Sequence, residues 1–455
     1  MKTIDCDTII TNIGELATSL PSQAFTIDND GIISPVATAQ AKDLLDLDLV
    51  AKGRAMGDVI RLEDAAIGIK DGVITYAGKR SRLASETTAN GAKLIDAGGH
   101  LVTAGLIDPH THTIFDGNRA NEFIMRCQGK SYQEIAEAGG GIVASTSATR
   151  GATLERLLAL GMIRLERMLA AGTTTCEIKT GYGLDQQTEL TMLQSILQLS
   201  RPQPISIIPT FMPAHAVPKN IEHESYVDDI INHMLLAAKE LCSMDEAARH
   251  HTYVDVFCDR GYFTLDDTRR IFAKALDLGF LLKVHADEFV NLGATTLACQ
   301  MGAHSADHLL NVSEKEMDLL AKSHTVATLL PGTSFYLNLK EHARARLMIE
   351  KGVAVALGSD FNPGSCHIFS LPFIWGLSCL HLKLTCAEAL SALTINAGAA
   401  IGLNRKGKPK VGIIAPGCQA DINIYSVDRL EEIPYNIGFN PVSKVVKAGK
   451  TVFGA

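Results

Sequence analysis

The sequence predicts an α/β protein in which a (β/α)8 barrel of the TIM type is joined to a small β-domain assembled from both termini. Three observations lead to this prediction. Eight short apolar runs alternate with helical patterns in the middle of the chain, and antiparallel strand patterns stand before and after them. With 455 residues, the chain is also long enough for one large domain and a smaller companion.

The eight apolar runs are rich in branched side chains and nearly continuous in apolar character, which is typical of parallel strands buried on both faces. Helical patterns separate most of them; residues 153–172, for example, repeat apolar residues at three- and four-residue steps and end in glycine. The predicted barrel strands are residues 101–107, 174–178, 205–211, 253–258, 280–284, 305–309, 325–330 and 353–357.

Strand patterns of another kind stand at the two ends of the chain. Residues 65–80 alternate around an Asp-Gly turn, and "GCQADINIYSVD" leads to a similar hairpin pattern, "VSKVVKAGKTVFG", near the C-terminus. We expect these segments to form one small β-domain. The predicted boundaries are 1–103 and 401–455 for the β-domain and 104–400 for the barrel, with 17–57 unassigned for lack of a steady period.

Composition excludes several classes of protein. The chain is 46% hydrophobic and 20% charged, with a mean hydropathy of +0.12, as in compact enzymes. A net charge of −8, without a dense basic run, argues against nucleic acid as a partner, and no apolar stretch is long enough to span a membrane. The ten cysteines are scattered singly, so we expect neither a disulfide framework nor a thiolate zinc cluster, and we predict a cytoplasmic protein.

Histidines and an aspartate follow the ends of several predicted strands. The first strand runs into "DPHTH", which contains His110 and His112, and later strands end near His285, His308 and Asp360. Active sites of such barrels lie at the carboxyl ends of the strands, and side chains two residues apart on an extended chain point to one side. Neutral imidazoles and a carboxylate are ligands that suit zinc or iron. A single HxH pair is common on surface loops. Possible ligands at the ends of several barrel strands together predict a metal site.

The motifs "DPHTH", "VHADE", "SADHLL" and "LGSDFNPGS" resemble the metal-dependent amidohydrolase superfamily, in which a (β/α)8 barrel accompanies a β-sandwich built from both termini. Further motifs, "FDGNRANEF", "EIKTGYGL", "PTFMPAHAVP" and "TLLPGTSFYL", resemble the imidazolonepropionase family within it, from about residue 65 to the end. This resemblance implies hydrolysis of the ring amide of 4-imidazolone-5-propanoate to N-formimidoyl-L-glutamate in histidine degradation. A metal-dependent deaminase of the same superfamily is the alternative, because related aminohydrolases share the ligand pattern.

The resemblance implies one divalent or trivalent metal ion per chain, zinc or iron, with His110, His112, His285 and Asp360 as its ligands. Relatives with two metals carry a bridging lysine at the end of strand four, where this sequence has Cys258 and Asp259. A single ion with an open position would activate water for attack on the ring carbonyl. Whether zinc or iron is native is left open.

Three side chains are candidates for proton transfer and catalysis: Glu288, His308 and Asp360. Glu288 lies one turn beyond His285, within reach of the departing nitrogen, and His308 suits stabilisation of the oxyanion. Which of the three is the main proton-transfer group stays open. The resemblance also implies a small anionic cyclic amide as substrate and a homodimer. Substrate contacts are expected at Arg119, which would bind the propanoate, and at Tyr132, Tyr182, His215, Glu288, Asn362, Gly364 and Ser365.

Overall fold

The computed structural model of the protein describes residues 5–36, 44–86, 91–130, 134 and 140–454. Their strands form one eight-stranded sheet from both ends of the chain, one parallel sheet of eight strands, and one separate hairpin. In chain order the strands are β1 (Thr8–Ser19), β2 (Phe25–Ile27), β3 (Ile33–Pro35), β4 (Val59–Lys70), β5 (Val73–Lys79), β6 (Lys93–Asp96), β7 (Leu101–Ala104), β8 (Leu106–Asp108), β9 (Thr173–Lys179), β10 (Ser206–Ala214), β11 (Tyr253–Cys258), β12 (Leu281–Ala286), β13 (Ser305–His308), β14 (Val326–Leu329), β15 (Val355–Leu357), β16 (Ile422–Tyr425), β17 (Val442–Lys447) and β18 (Lys450–Phe453).

Helices lie between most strands of the parallel sheet, and short one-turn helices occupy Leu44–Asp46, Gly53–Gly57 and Ala248–His250. A π-helical turn, Ile230–Met234, joins the helices His223–Asp229 and Leu235–Ser243. In chain order the α-helices are α1 (Arg80–Glu86), α2 (Ala120–Cys127), α3 (Ile142–Arg150), α4 (Leu154–Ala170), α5 (Gln186–Leu199), α6 (His223–Asp229), α7 (Leu235–Ser243), α8 (Leu265–Asp277), α9 (Ala294–Met301), α10 (Glu314–Lys322), α11 (Pro331–Tyr336), α12 (Ala345–Glu350), α13 (Leu371–His381), α14 (Cys386–Leu393), α15 (Ile395–Ala400) and α16 (Glu432–Tyr435).

The parallel sheet closes into a barrel. Strands β8 to β15 pair in chain order, each parallel to the next. The segments that follow β8 and β15 complete the ring, because Thr111 forms a parallel bridge with Phe361 and the backbone N–H of His112 donates to the Phe361 carbonyl over 2.8 Å. The predicted (β/α)8 barrel is confirmed, and its closure brings the first and eighth strand ends side by side.

The first predicted strand, 101–107, is wrong as a single element. Its first half is β7, which pairs with β1 and β16 in the terminal sheet, and its second half is the barrel strand β8. Gly105 separates the two halves where the backbone passes close to Thr174; a Cβ on this glycine would lie 2.4 Å from the threonine Oγ1. Both halves are buried, so the apolar run continues across the change of sheet and hides it.

The terminal sheet confirms a β-rich domain assembled from both ends of the chain. Its strand order is β18-β17-β16-β7-β1-β4-β5, with β6 paired to the start of β1. The predicted Asp-Gly hairpin forms between β4 and β5, where Asp71 and Gly72 have φ angles of +51° and +79°. Two successive positive φ values match the twist of a tight hairpin. The predicted domain boundaries at residues 103 and 400 stay predictions.

The unassigned region 17–57 contributes to the β-rich part of the chain. Strand β1 continues through it to Ser19, and β2 and β3 form a hairpin of their own. The segment near Ala51 is attached to the barrel, since its backbone N–H and C=O both bond the side-chain amide of Asn396, over 2.8 and 2.9 Å. Residues 37–43 lie outside the described ranges.

Helix α4 shows how the local sequence sets the element bounds. The side chain of Thr153 accepts the backbone N–H of Arg156 and so caps the helix start, and Gly172, with φ +89°, follows its end. One apolar cluster extends from the terminal sheet, at Ile67, into the barrel, at Val256. Among the described residues, none of the helices combines the length and apolarity needed to cross a membrane.

Candidate active site and metal centre

Five side chains with metal-binding chemistry meet at the carboxyl ends of the barrel strands. His110 and His112 follow β8, His285 lies near the end of β12, His308 ends β13, and Asp360 follows β15. All five are buried. Because parallel strands present their carboxyl ends at one rim of the barrel, motifs separated by up to 250 residues converge there.

The distances between these side chains suit a common metal ion. Asp360 Oδ1 lies 3.4 Å from His110 Nε2 and 3.8 Å from His112 Nε2. The ring centroids of His110 and His285 are 4.5 Å apart, and those of His285 and His308 are 5.2 Å apart. In each of two groups, the possible ligand atoms all lie within 4.8 Å of one another: His110, His285 and His308, and His110, His112 and Asp360.

Two of the imidazoles form hydrogen bonds through Nδ1, which orient their Nε2 atoms for metal binding. His110 Nδ1 lies 2.6 Å from Asp307 Oδ2, and its buried Nε2 has no hydrogen-bond partner among the residues that the structure describes. His285 Nδ1 lies 3.1 Å from Asp255 Oδ1. A proton on each Nδ1, donated to the carboxylate, leaves the lone pair of Nε2 directed into the cluster, as in histidines that bind metals. The donor set therefore fits a metal ion.

Burial favours the neutral form of three of the imidazoles. It lowers the pKa of His110, His112 and His308 well below the usual range, and repulsion from Lys179 or from neighbouring histidines adds to the effect. Neutral imidazole is the form that binds a metal. Burial also raises the pKa of Asp360 to about 6, although Thr333 donates a hydrogen bond to Oδ2 and opposes the shift. A cation beside this carboxylate would favour its charged form.

A layer of buried charges lies beneath the cluster, and sequence reasoning missed most of it. Lys179 Nζ bonds Glu177 Oε1 and Asp255 Oδ2, each over 2.7 Å. Lys283 Nζ donates to the carbonyl oxygen of Pro109 over 2.9 Å and lies 3.5 Å from Asp307 Oδ2. The two aspartates that hold His285 and His110 are thus themselves held by lysines.

One signal in the sequence could have revealed this layer. Charged residues interrupt otherwise apolar barrel strands, as Glu177 and Lys179 do in "TTTCEIK" and Asp255 does in "YVDVFC". A charge is rarely buried without a partner, so these positions had to face one another. The structure places the Lys179 ammonium between the carboxylates of Glu177 and Asp255.

Glu288 lies next to His308, which belongs to the cluster. Glu288 Oε2 is 3.7 Å from His308 Nε2, and both side chains line the cavity described below. Burial, with the negative charges of Asp360 and Asp259, raises the pKa of the Glu288 carboxyl well above its usual range. A carboxyl group with a raised pKa can both accept and donate a proton near neutral pH, which suits a general acid–base.

A cavity of about 1450 Å³ opens above the cluster. It is lined by all the predicted substrate contacts that the structure describes, and Tyr132 lies outside the described residues. These contacts share the cavity with four of the five side chains of the cluster. The predicted contacts that line it are Arg119, Tyr182, His215, Glu288, Asn362, Gly364 and Ser365.

Tyr182 and His215 form one wall of the cavity. The His215 ring stacks on His112 with centroids 5.0 Å apart, and its Nδ1 lies 2.8 Å from the Gly181 carbonyl oxygen. The Tyr182 ring lies 5.7 Å from the His112 ring. Burial lowers the pKa of His215 to about 4 and raises that of Tyr182, so both side chains are neutral hydrogen-bonding groups at pH 7.

Asn362 shapes the loop that follows β15. Its Oδ1 accepts the backbone N–H groups of Gly364 and Ser365, each over 2.8 Å. Its Nδ2 donates to the Asp360 carbonyl oxygen over 2.7 Å and to Ser365 Oγ over 2.9 Å. The amide thus fixes the loop that carries both Asp360 and the cavity lining.

Two arginines of the segment after β8 reach the same loop. Arg119, predicted to bind the propanoate, pairs with Glu122, whose Oε2 lies 2.6 Å from its Nη2, and a Cβ on Gly364 would lie 1.7 Å from its Nη1. Arg126, which sequence reasoning did not single out, donates from Nη2 to the Gly364 carbonyl oxygen over 3.1 Å. The structure therefore places two guanidinium groups beside one glycine.

Comparison with known proteins agrees with this site. The model of the amidohydrolase family matches residues 136–453. An imidazolonepropionase from Symbiobacterium thermophilum is 44% identical over 404 residues, which is 88% of this chain and 93% of that protein. An imidazolonepropionase from Bacillus velezensis is 42% identical over 446 residues, 98% of this chain and 97% of that protein.

Solved structures resemble the fold at lower identity. An adenosine deaminase from Xanthomonas campestris with bound zinc superposes with a TM-score of 0.65 at 15% identity, over 98% of this chain and 93% of its own. An E. coli guanine deaminase superposes with a TM-score of 0.64 at 14% identity, over 98% of this chain and 99% of its own. At this identity the similarity shows the fold alone. The relatives that are about 40% identical over nearly the whole chain are imidazolonepropionases. The chain belongs to the imidazolonepropionase family of amidohydrolases.

Proposed function

We propose that the protein hydrolyses the ring amide of 4-imidazolone-5-propanoate and releases N-formimidoyl-L-glutamate, a step of histidine degradation. The observation that carries the proposal is the pairing, in one cavity, of a buried cluster of imidazoles and Asp360 with guanidinium groups beside Gly364. The first suits amide hydrolysis assisted by a metal, and the second suits an anionic tail. The relatives named imidazolonepropionase support the same substrate.

We assign one metal ion to His110, His112, His285 and Asp360, and we propose zinc or iron as the native metal. The unpartnered Nε2 of His110 and the carboxylates behind two of the imidazoles support this assignment. When bound, the ion supplies a Lewis acid that activates water and polarises the ring carbonyl. His308 belongs to the same cluster, and we propose that it contacts the substrate and does not bind the metal.

Glu288 is proposed to move the proton. Its carboxylate takes a proton from the attacking water and returns it to the ring nitrogen that leaves, so that the amide C–N bond breaks without releasing a strongly basic anion. The raised pKa of this buried carboxyl supports both halves of the role. His308, whose Nε2 lies 3.7 Å from Glu288 Oε2, is proposed to hydrogen-bond the carbonyl oxygen as negative charge develops there.

The remaining cavity residues are proposed to hold the substrate. The guanidinium of Arg119 binds the propanoate, and Tyr182 and His215 flank the ring as neutral hydrogen-bonding groups. The loop shaped by Asn362 presents Gly364 and Ser365 to the substrate. Tyr132 is proposed as a further contact on the resemblance alone, and a homodimer and a cytoplasmic location likewise stay predictions.

The proposal is tested by incubating the purified, metal-loaded protein with freshly prepared imidazolonepropanoate. We expect the ultraviolet absorbance of the ring to fall and the formimidoylglutamate mass to appear without release of ammonia. Dialysis against a chelator should abolish turnover, and zinc or iron should restore it. Release of ammonia from an amino-substituted ring, with the imidazolone left intact, would instead favour the deaminase alternative.

A further inference from the structure

Helix α2 brings Arg126 to the same place as Arg119. Arg126 lies in the last turn of α2, and Arg119 is the residue that immediately precedes this helix. Both reach Gly364: Arg119 lies where a Cβ of this glycine would stand, and Arg126 donates to its carbonyl oxygen. Both also line the cavity.

The charge of Arg119 is already compensated within the protein. Its Nε and Nη2 both lie close to Glu122 Oε2, at 2.8 and 2.6 Å. The other oxygen of this carboxylate accepts the backbone N–H of Gly141 over 3.0 Å, which fixes its position. The pair is therefore a neutral unit that can orient a ligand but adds no net positive charge for an anion.

Arg126 differs in both respects. Within the described residues, no carboxylate oxygen forms an ion pair with its guanidinium, and its buried Nε has no hydrogen-bond partner. The group packs on aromatic surface instead, with Cζ 5.3 Å from the ring centroid of Tyr336 and 6.0 Å from that of Phe123. A charged donor withheld from water and left without an acceptor is costly, and a ligand carboxylate in the cavity would satisfy it.

We propose that Arg126 is a second carboxylate-recognition residue, which supplies the net positive charge that holds the substrate's propanoate beside Gly364, while the Arg119–Glu122 pair orients it. This inference rests on the proposed function and adds to it a residue and a division of labour. It implies that affinity for the anionic tail depends on two guanidinium groups, and that only one of them brings uncompensated charge.

The test measures binding of two stable imidazoles to the metal-loaded full-length protein by calorimetry. Imidazole-4-propanoate carries the anionic tail, and 4-propylimidazole carries a neutral tail of the same length. Arg126→Met should weaken binding of the anionic probe by at least ~10-fold, as expected for one charge-assisted contact, and should change binding of the neutral probe by less than about twofold. Arg126→Lys keeps the charge and should recover part of the loss.

Arg156→Met is the matched control, because Arg156 is exposed, pairs with Asp116 and lies outside the cavity lining. It should leave the affinity of both probes unchanged. Salt adds a second readout: rising salt should weaken the anionic probe less in Arg126→Met than in the unmodified protein, since the variant lacks the uncompensated charge.

Two results would overturn the inference alone. One is unchanged affinity for imidazole-4-propanoate in Arg126→Met together with a loss in Arg119→Met, which would leave recognition to Arg119. The other is an equal loss for both probes, which would mean that Arg126 shapes the cavity without recognising charge. An unmodified protein that binds neither probe and leaves the imidazolone intact would overturn the proposed function as well, and this outcome is distinct from the first two.

Discussion

Two regions differ in how their charges are paired: the buried layer beneath the cavity, which we call the floor, and the part of the cavity beside Gly364, which we call the mouth. The floor, formed by Lys179, Asp255, Asp307, His110 and His285, is fully buried or nearly so, and each aspartate contacts both an imidazole and a lysine. The mouth, beside Gly364, holds one neutral ion pair and one arginine without a carboxylate partner among the described residues. The charges of the floor are therefore paired within the protein, whereas the mouth has a positive charge available to a ligand.

This difference matches what each region has to do. Metal ligands must be held in fixed tautomers and orientations, and the hydrogen bonds of Asp307 to His110 and of Asp255 to His285 serve that need. The mouth has to bind an anionic substrate. If every cation there were already paired with a carboxylate of the protein, affinity for the anion would be lower. The four predictions below test the comparison, from the largest expected effect to the smallest.

The first prediction removes a side chain of the floor that faces the metal site. His110→Ala should lose the bound metal, and kcat/KM should fall by at least ~10³-fold, because several kcal/mol of transition-state stabilisation disappear with the ion. Elemental analysis of the purified variant checks the first part and turnover checks the second. Full activity in a preparation free of metal would contradict the assignment.

The second prediction separates proton transfer from metal binding. Glu288→Gln keeps the shape of the side chain but removes its proton acceptor, so kcat should fall by on the order of 10²-fold or more. Metal content should stay near one ion per chain, since Glu288 is not among the proposed ligands. If kcat were unchanged, the proton-transfer role would pass to His308 or Asp360.

The third prediction weakens the floor from behind. Asp307→Asn should reduce metal affinity by ~10- to 100-fold, because a neutral amide is a poorer acceptor for the Nδ1–H of His110 and no longer balances Lys283. Competition with a chelator measures the affinity. Asp421→Asn is the control: this aspartate is also buried and paired with a lysine, Lys447, but it immediately precedes β16 of the terminal sheet and should leave metal affinity unchanged.

The fourth prediction perturbs the mouth alone. Gly364→Ala adds a Cβ where the Arg119 guanidinium now lies, 1.7 Å from Nη1, and the φ angle of Gly364 is outside the left-handed region, so alanine fits the backbone. Displacement of the guanidinium should lower kcat/KM for the imidazolonepropanoate by about 10-fold. Metal affinity should change by less than about twofold. A loss of metal in this variant would mean that mouth and floor are coupled.

Much of the fold follows from local sequence. Parallel strands buried on both faces are short and apolar, so eight such runs separated by helical patterns predict the barrel. Asp71 and Gly72 predict a hairpin, because the positive φ angles of its turn favour aspartate and glycine. The predicted ligands could be found in the same way. Each of them stands at or just beyond the end of an apolar strand, where barrel proteins place their active sites.

The tertiary structure alone decided how these pieces meet. The run 101–107 divides at Gly105 because its first half pairs in the terminal sheet and its second half in the barrel. Both halves are buried, so the apolar pattern of the sequence shows no break. Asp307 and His110 are 197 residues apart, so no local period announces their hydrogen bond. Arg119 could be predicted because its motif resembles a known family. Arg126 could not, because whether a guanidinium has a carboxylate partner depends on which side chains the fold brings within about 4 Å of it.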